Sequence, residues 1–197
     1  MRKSALFSPL VFCVLLFVVG TVMGGMGLRV LSVDEKAELV SYLEVFLQGI
    51  HTPGLEPNVI FRLSLLHNLK TAALVWGFGL AVIGVPLTCL MLLLKGFVIG
   101  FSSSFVISEV TKDGALLFLS GILPHTLISA PATVALATLS ISFSLALFRE
   151  RPWNRGTLWS KTAGYTLRCL VLAGAMALAS FVEGYITPHL LNRLTAI

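Results

Sequence analysis

The chain's reactive side chains are few and widely scattered. Its histidines are His51, His67, His125 and His189, and its cysteines are Cys13, Cys89 and Cys169. A metal centre needs ligands at close spacing, as in HExxH or CxxC. No such pair occurs here, so neither a metal nor a cofactor is expected, and the cysteines, each inside an apolar run, read as small buried hydrophobes. Ser129 follows His125 by four positions, which would put both on one face of a helix. A nucleophile also needs an orienting acid and an oxyanion hole, and nothing identifies either, so no catalytic residue is assigned.

Glu183 and Lys95 stand inside apolar surroundings. An ionisable group within a membrane span is by default a functional hypothesis. Glu183 lies five residues before Pro188, so it reads first as a helix-end carboxylate that is paired or protonated, and second as a relay. Lys95 is an ordinary anchor if it sits at a turn, but must snorkel or pair if it sits in a helix; a Lys95–Glu183 pair requires compatible depths. Pro124-His125 is a break beside a polar side chain, which either shapes a cavity or caps a restarted helix.

The elements that must carry these residues are set by composition. The 197 residues are 56% hydrophobic and 12% charged, about half the charged share of a soluble domain. Such a chain cannot coat a water-facing globule. Its apolar runs are unbroken rather than alternating, which excludes a β-barrel and leaves an all-α, polytopic helical membrane protein. The net charge of +5 comes from basic residues mostly at the ends of apolar runs, where they anchor helices, so nucleic-acid binding is excluded.

Five spans are expected, at about 5–28, 69–86, 87–108, 124–148 and 162–187. The first is too long for a cleaved signal peptide and reads as a retained helix. Gly84 and Pro86 allow the second turn to fall near them, with Lys95 then inside the third span; the alternative places that turn at Lys95. Gly114 to Phe148 is uncharged and exceeds one straight span by roughly ten residues. Pro124 and Pro131 interrupt it, so a broken or re-entrant entry over Ala115 to Leu123 is expected. Gly20/Gly24 and Gly96/Gly100 are GxxxG pairs, which permit close packing and are compatible with a homo-oligomer.

The polar stretch 29–68 contains one amphipathic helix. Ser32 and Glu35 form a capping box, Leu39, Leu43, Phe46 and Leu47 share a face, and Gly49 ends it. Its polar face carries Asp34, Glu38 and Glu44, and it either docks a partner or lipid surface or folds back onto the bundle. With the N-terminus inside, the inner segments hold Arg2, Lys3, Lys95, Arg149, Arg151, Arg155 and Lys161 in about 18 residues, including the basic loop 149–161. The outer segments hold Arg29, Lys36, Arg62, Lys70, Lys112 and Arg193 in about 57 residues. This density places the N-terminus in the cytoplasm and the amphipathic helix outside.

As a whole the chain resembles the stage II sporulation protein M family. The resemblance rests on Gly84-Val85-Pro86-Leu87, Leu94 through Phe101, Leu123-Pro124-His125, Ala130-Pro131-Ala132 and Phe181-Val182-Glu183-Gly184-Tyr185, with Ser41 through Phe46 in the loop. The broader family often has Asn before the glycine matching Gly96 and an acid near Ser129. Lys95 and Ser129 stand there instead, which looks like the sporulation branch and speaks against a proton-coupled fourth span. The resemblance implies a non-enzymatic anchor in the cell membrane, in the mother-cell septal membrane that engulfs the forespore of an endospore-forming bacterium. It would localise the peptidoglycan-degrading stage II sporulation proteins D and P. About 40 loop residues cannot build a hydrolytic domain unaided. The competing expectations are a subunit of a membrane transporter or channel, suggested by the proline breaks, and an intramembrane enzyme built on His125, Ser129 and Glu183.

Overall fold

Ala5 to Leu28 carries no charge, and in the computed structural model it forms the body of helix α1, Ser4–Gly27. Then come α2 (Val33–His51), α3 (Pro57–Gly79), α4 (Gly84–Glu109), the short α5 (Gly114–Leu117), α6 (Leu123–Glu150) and α7 (Arg155–Phe181). A π-helical turn, Phe118–Ile122, joins α5 to α6, and a second, Val182–Ile186, ends α7. The structure describes residues 4–51, 57–81, 83–109, 114–150 and 155–187. Residues 52–56, the residues around Pro152, Pro188, His189, and the side chains of Glu44, Phe46 and Leu47 lie outside what is described.

The fold is all helical among the described residues, and α1, α4, the α5–α6 unit and α7 are long and apolar enough to cross a membrane. The broken or re-entrant entry expected before His125 does not form: the helix runs on from Gly114 to Arg149, and the strain is taken up by the π-helical turn, with Pro124 directly after it, where the missing N–H falls in a ladder already widened. Pro131 lies inside α6.

Three boundaries differ from the sequence expectation. The stretch 29–68 is not one loop with one short helix. It holds α2 and the first half of α3, which begins at Pro57 and ends at Gly79 instead of spanning 69–86. Arg62, His67 and Lys70 lower the hydropathy of α3 and hide it as a span. The turn between α3 and α4 falls at Gly79–Gly84, where Gly84 N–H donates to the Ala81 carbonyl, so Lys95 lies within α4 and is not a cytoplasmic anchor. An added Cβ at Gly84 would strike the Phe78 backbone, which is why glycine stands there. Helix α2 also runs past Gly49 to His51.

The helix directions follow from side-chain contacts. Along α3 and α7, Asn58 meets Tyr185, Ser64 meets Glu183, Asn68 meets Ser180 and Trp76 meets Thr166, so these two are antiparallel. Ser140 donates to the Val75 carbonyl and Ser144 to that of Ala81, so α6 runs with α3. Thr88 meets Ser140 while Phe105 and Val106 pack near Phe118 and Ile122, so α4 opposes α6. Helix α1 runs with α4. The start of α1 and the end of α7 therefore lie at opposite ends of the bundle.

Helix α6 is the centre. Cys13, Leu92, Val134, Ala137 and Ile141 form one core between α1, α4 and α6. Ala72, Val75, Ala132, Leu136, Tyr165, Cys169 and Met176 form another between α3, α6 and α7, capped by the Phe143–Tyr165 ring stack. Packing between helices in lipid depends on close contact and hydrogen bonds, because lipid tails are as apolar as the core. The serines and threonines of α6 supply those bonds. The two GxxxG pairs supply close approach: Gly20 and Gly24 sit on the backbone of Leu93 and Phe97, while Gly96 and Gly100 sit on that of Phe17 and Thr21. Both motifs are spent within one chain, holding α1 to α4.

Candidate functional site

The capping box forms as the spacing predicts. Ser32 N–H and Oγ donate to the Glu35 carboxylate at 2.8 and 2.9 Å, and Glu35 N–H donates to Ser32 Oγ at 3.3 Å. These bonds hold the Glu35 carboxyl below its usual range. Leu39, Val40 and Leu43 then pack on a third core built from Leu28, Phe101, Phe105, Val106 and the Leu117–Ile122 stretch. Lys36 closes an ion pair to Glu109 at the end of α4, 3.0 Å. Thus α2 is folded back onto its own bundle, and its outer side stays open: Glu38, Ser41 and Tyr42 are exposed, with Tyr42 OH donating to Glu38 at 3.4 Å. A shallow groove of about 430 Å³ runs beside it, lined by Val33, Lys36, Ala37, Val40, Ser41 and Glu109. Of the two acids singled out on this face, Glu38 is on the open side; the side chain of Glu44 is among those not described.

A second cluster lies inside the bundle. Glu183, on the π-helical turn after α7, accepts a 2.5 Å hydrogen bond from Ser64 of α3. One turn along α3, the buried Asn68 donates to Ser180 Oγ at 2.8 Å and to the Met176 carbonyl at 3.4 Å. Its Oδ1 accepts from Lys95 Nζ at 3.5 Å. Lys95 and Glu183 therefore do not pair directly. Each is bound to α3, one through Asn68 and the other through Ser64, while remaining in each other's electrostatic field. His67 feels both. Asn68 is the residue the sequence reading missed. Within 29–68 and beside Lys70 it looked like a loop residue, and only the early start of α3 reveals it as the hub.

Ser129 and His125 do not form a hydrogen bond. Both lie on the stripe of α6 that includes Ala132 and Leu136, facing α3 and α7. Val75 contacts Ser140, and the same eleven positions back along both helices lead to Ser64 and Ser129, so Ser129 shares the level of Glu183. Ser129 is buried, with 1% of its surface exposed. Ser129 Oγ, His125 Nδ1 and Thr126 Oγ1 find no hydrogen-bond partner among the described residues. This is a polar layer without a nucleophile–base contact. Among the described residues no group of three His, Cys, Asp or Glu side chains could hold a metal.

The family model for Stage II sporulation protein M matches residues 13–188, which takes in α1 from Cys13 onward, every later helix and both clusters. The chain belongs to the stage II sporulation protein M family. No curated protein and no solved structure matches it. The match covers the Pro86, Lys95–Gly96, Pro124–His125 and Glu183 regions together. It makes this chain a sporulation membrane protein.

Proposed function

We propose that the chain is a non-enzymatic membrane anchor that localises a peptidoglycan-degrading complex during engulfment of the forespore. It crosses the membrane five times, with α3 as the second span, and its N-terminus is cytoplasmic. With Lys95 inside α4, the inner segments still hold Arg2, Lys3, Arg149, Arg151, Arg155 and Lys161, so the orientation argument survives. Helix α2 is then extracytoplasmic, on the side where cell wall is cut. The partners are the stage II sporulation proteins D and P.

The observation that carries this reading is α2: capped, fixed to the bundle by Lys36–Glu109 and its apolar face, and presenting Glu38, Ser41, Tyr42 and Val45 on the side left open. A rigid outward surface on an apolar bundle is what docking needs. Reversing Glu38 and Glu44 to Lys tests it. Recruitment of the D and P proteins in a pull-down from sporulating cells should fall at least several-fold, and unchanged recruitment removes this surface from the account.

One observation favours a second reading, a subunit of a membrane transporter or channel. Ser129, Thr126 and His125 hold unpartnered polar atoms, with Ser129 at the level of Glu183, as a polar path through the bundle would require. Solute flux in liposomes containing the purified chain would establish it; sealed liposomes would dismiss it.

A further inference from the structure

Helix α3 is buried along Asn68, Ala72, Val75 and Gly79, and its opposite side faces outward. That outward side carries Leu63, Leu66 and Leu74, as a lipid-facing helix should, but also Arg62, His67 and Lys70. Arg62 is near the helix start and reaches the membrane surface. Lys70 does not. It lies thirteen residues from Pro57 and nine from Gly79, or about 20 and 14 Å along the axis. A hydrocarbon core of about 30 Å therefore puts it near the middle. Side chains on a helix lean toward its N-terminus, so Lys70 leans toward the farther surface, and snorkelling is at its least effective there. It makes no hydrogen bond or ion pair with any described residue. Ala73 and Gly77 stand beside it, and a Cβ at Gly77 would meet nothing, so another backbone has room to approach.

We infer that the outer face of α3 is a lateral docking site for a partner's transmembrane helix that carries a carboxylate near its midpoint. Lys70 is the recognising cation. A second copy of this chain does not fit. Of its nine acids, Asp34, Glu35, Glu38, Glu44, Glu56, Glu109, Asp113 and Glu150 lie at or beyond the ends of the five long helices, and Glu183 is engaged by Ser64. No acid remains at bilayer depth to meet Lys70, so the occupant is a different chain. This rests on the anchor reading only in requiring a membrane partner. A synthetic helix takes that partner's place below, so failure here is separable from failure of recruitment by α2.

The test uses the full chain in phosphatidylcholine nanodiscs with fluorescent leucine helices that carry one Glu, one Gln or no polar residue at the midpoint. Energy transfer should report at least tenfold tighter binding of the Glu helix than of the Leu helix. K70L should abolish that preference and K70R should keep it. K70E should reverse it toward a helix bearing a central Lys, which guards against a K70L variant that merely misfolds. Equal binding of the Glu and Leu helices to the wild-type chain overturns the proposal. So does a preference that survives K70L, or self-association of the chain that excludes the Glu helix and disappears in K70L.

Discussion

Ser32 and Glu35 show how far single residues could be read. Their Ser-x-x-Glu spacing predicts reciprocal bonds, and all three bonds form. Replacing Ser32 with Ala should cost roughly 1 kcal/mol of local helix stability, read as faster amide exchange in the first turn of α2. Because the folded Glu35 carboxyl is held below its ordinary value, the cap is complete above the ordinary carboxylate range. It is lost as pH falls through the depressed value, so first-turn exchange should accelerate on acidification and Glu35→Gln should flatten that dependence. Lys95 and Glu183 were legible as charges needing partners, with a pair between them open only at compatible depths. The actual partners, Asn68 and Ser64, were not legible, since uncharged polar residues give no signal until their helix is placed. Asn68→Leu leaves Lys95 and Ser180 without that partner. It should destabilise the bundle by about 1–3 kcal/mol, seen as a lower Tm in detergent, whereas Glu183→Gln keeps an acceptor for Ser64 and should cost less.

At the scale of elements, hydropathy located α1, α4, α6 and α7, because their apolar residues face both lipid and neighbouring helices. It misplaced α3, whose cations raise its polarity while its Ala72, Val75 and Asn68 face packs at the heart of the bundle. The glycine pairs were visible, but a GxxxG spacing does not say which helix it serves. Here each pair sits against the helix carrying the other. Gly24→Leu or Gly100→Leu forces a side chain into backbone atoms and should lower stability by about 1–3 kcal/mol or more. Chromatography and thermal unfolding in detergent should show α1 loosened from α4. Small-residue stripes exposed to lipid elsewhere, such as that at Gly77, should tolerate Ala with little change.

At the scale of the whole molecule, α1, α4 and α7 run one way and α3 and α6 the other, which puts the start of α1 and the end of α7 at opposite ends. The anchor reading builds on that arrangement, proposing an odd number of crossings, a basic inner side, and α2 as a docking surface outside. Cysteine accessibility tests it most directly. Cys13, Cys89 and Cys169 are free and inside the bundle, so they can be exchanged for Ala and single cysteines introduced at Ser4, at Ser41 and in the C-terminal tail. With a membrane-impermeant maleimide on intact cells, the account predicts labelling at Ser41 and the tail, and protection at Ser4 until the membrane is opened. Labelling of both chain ends from the same side would contradict it.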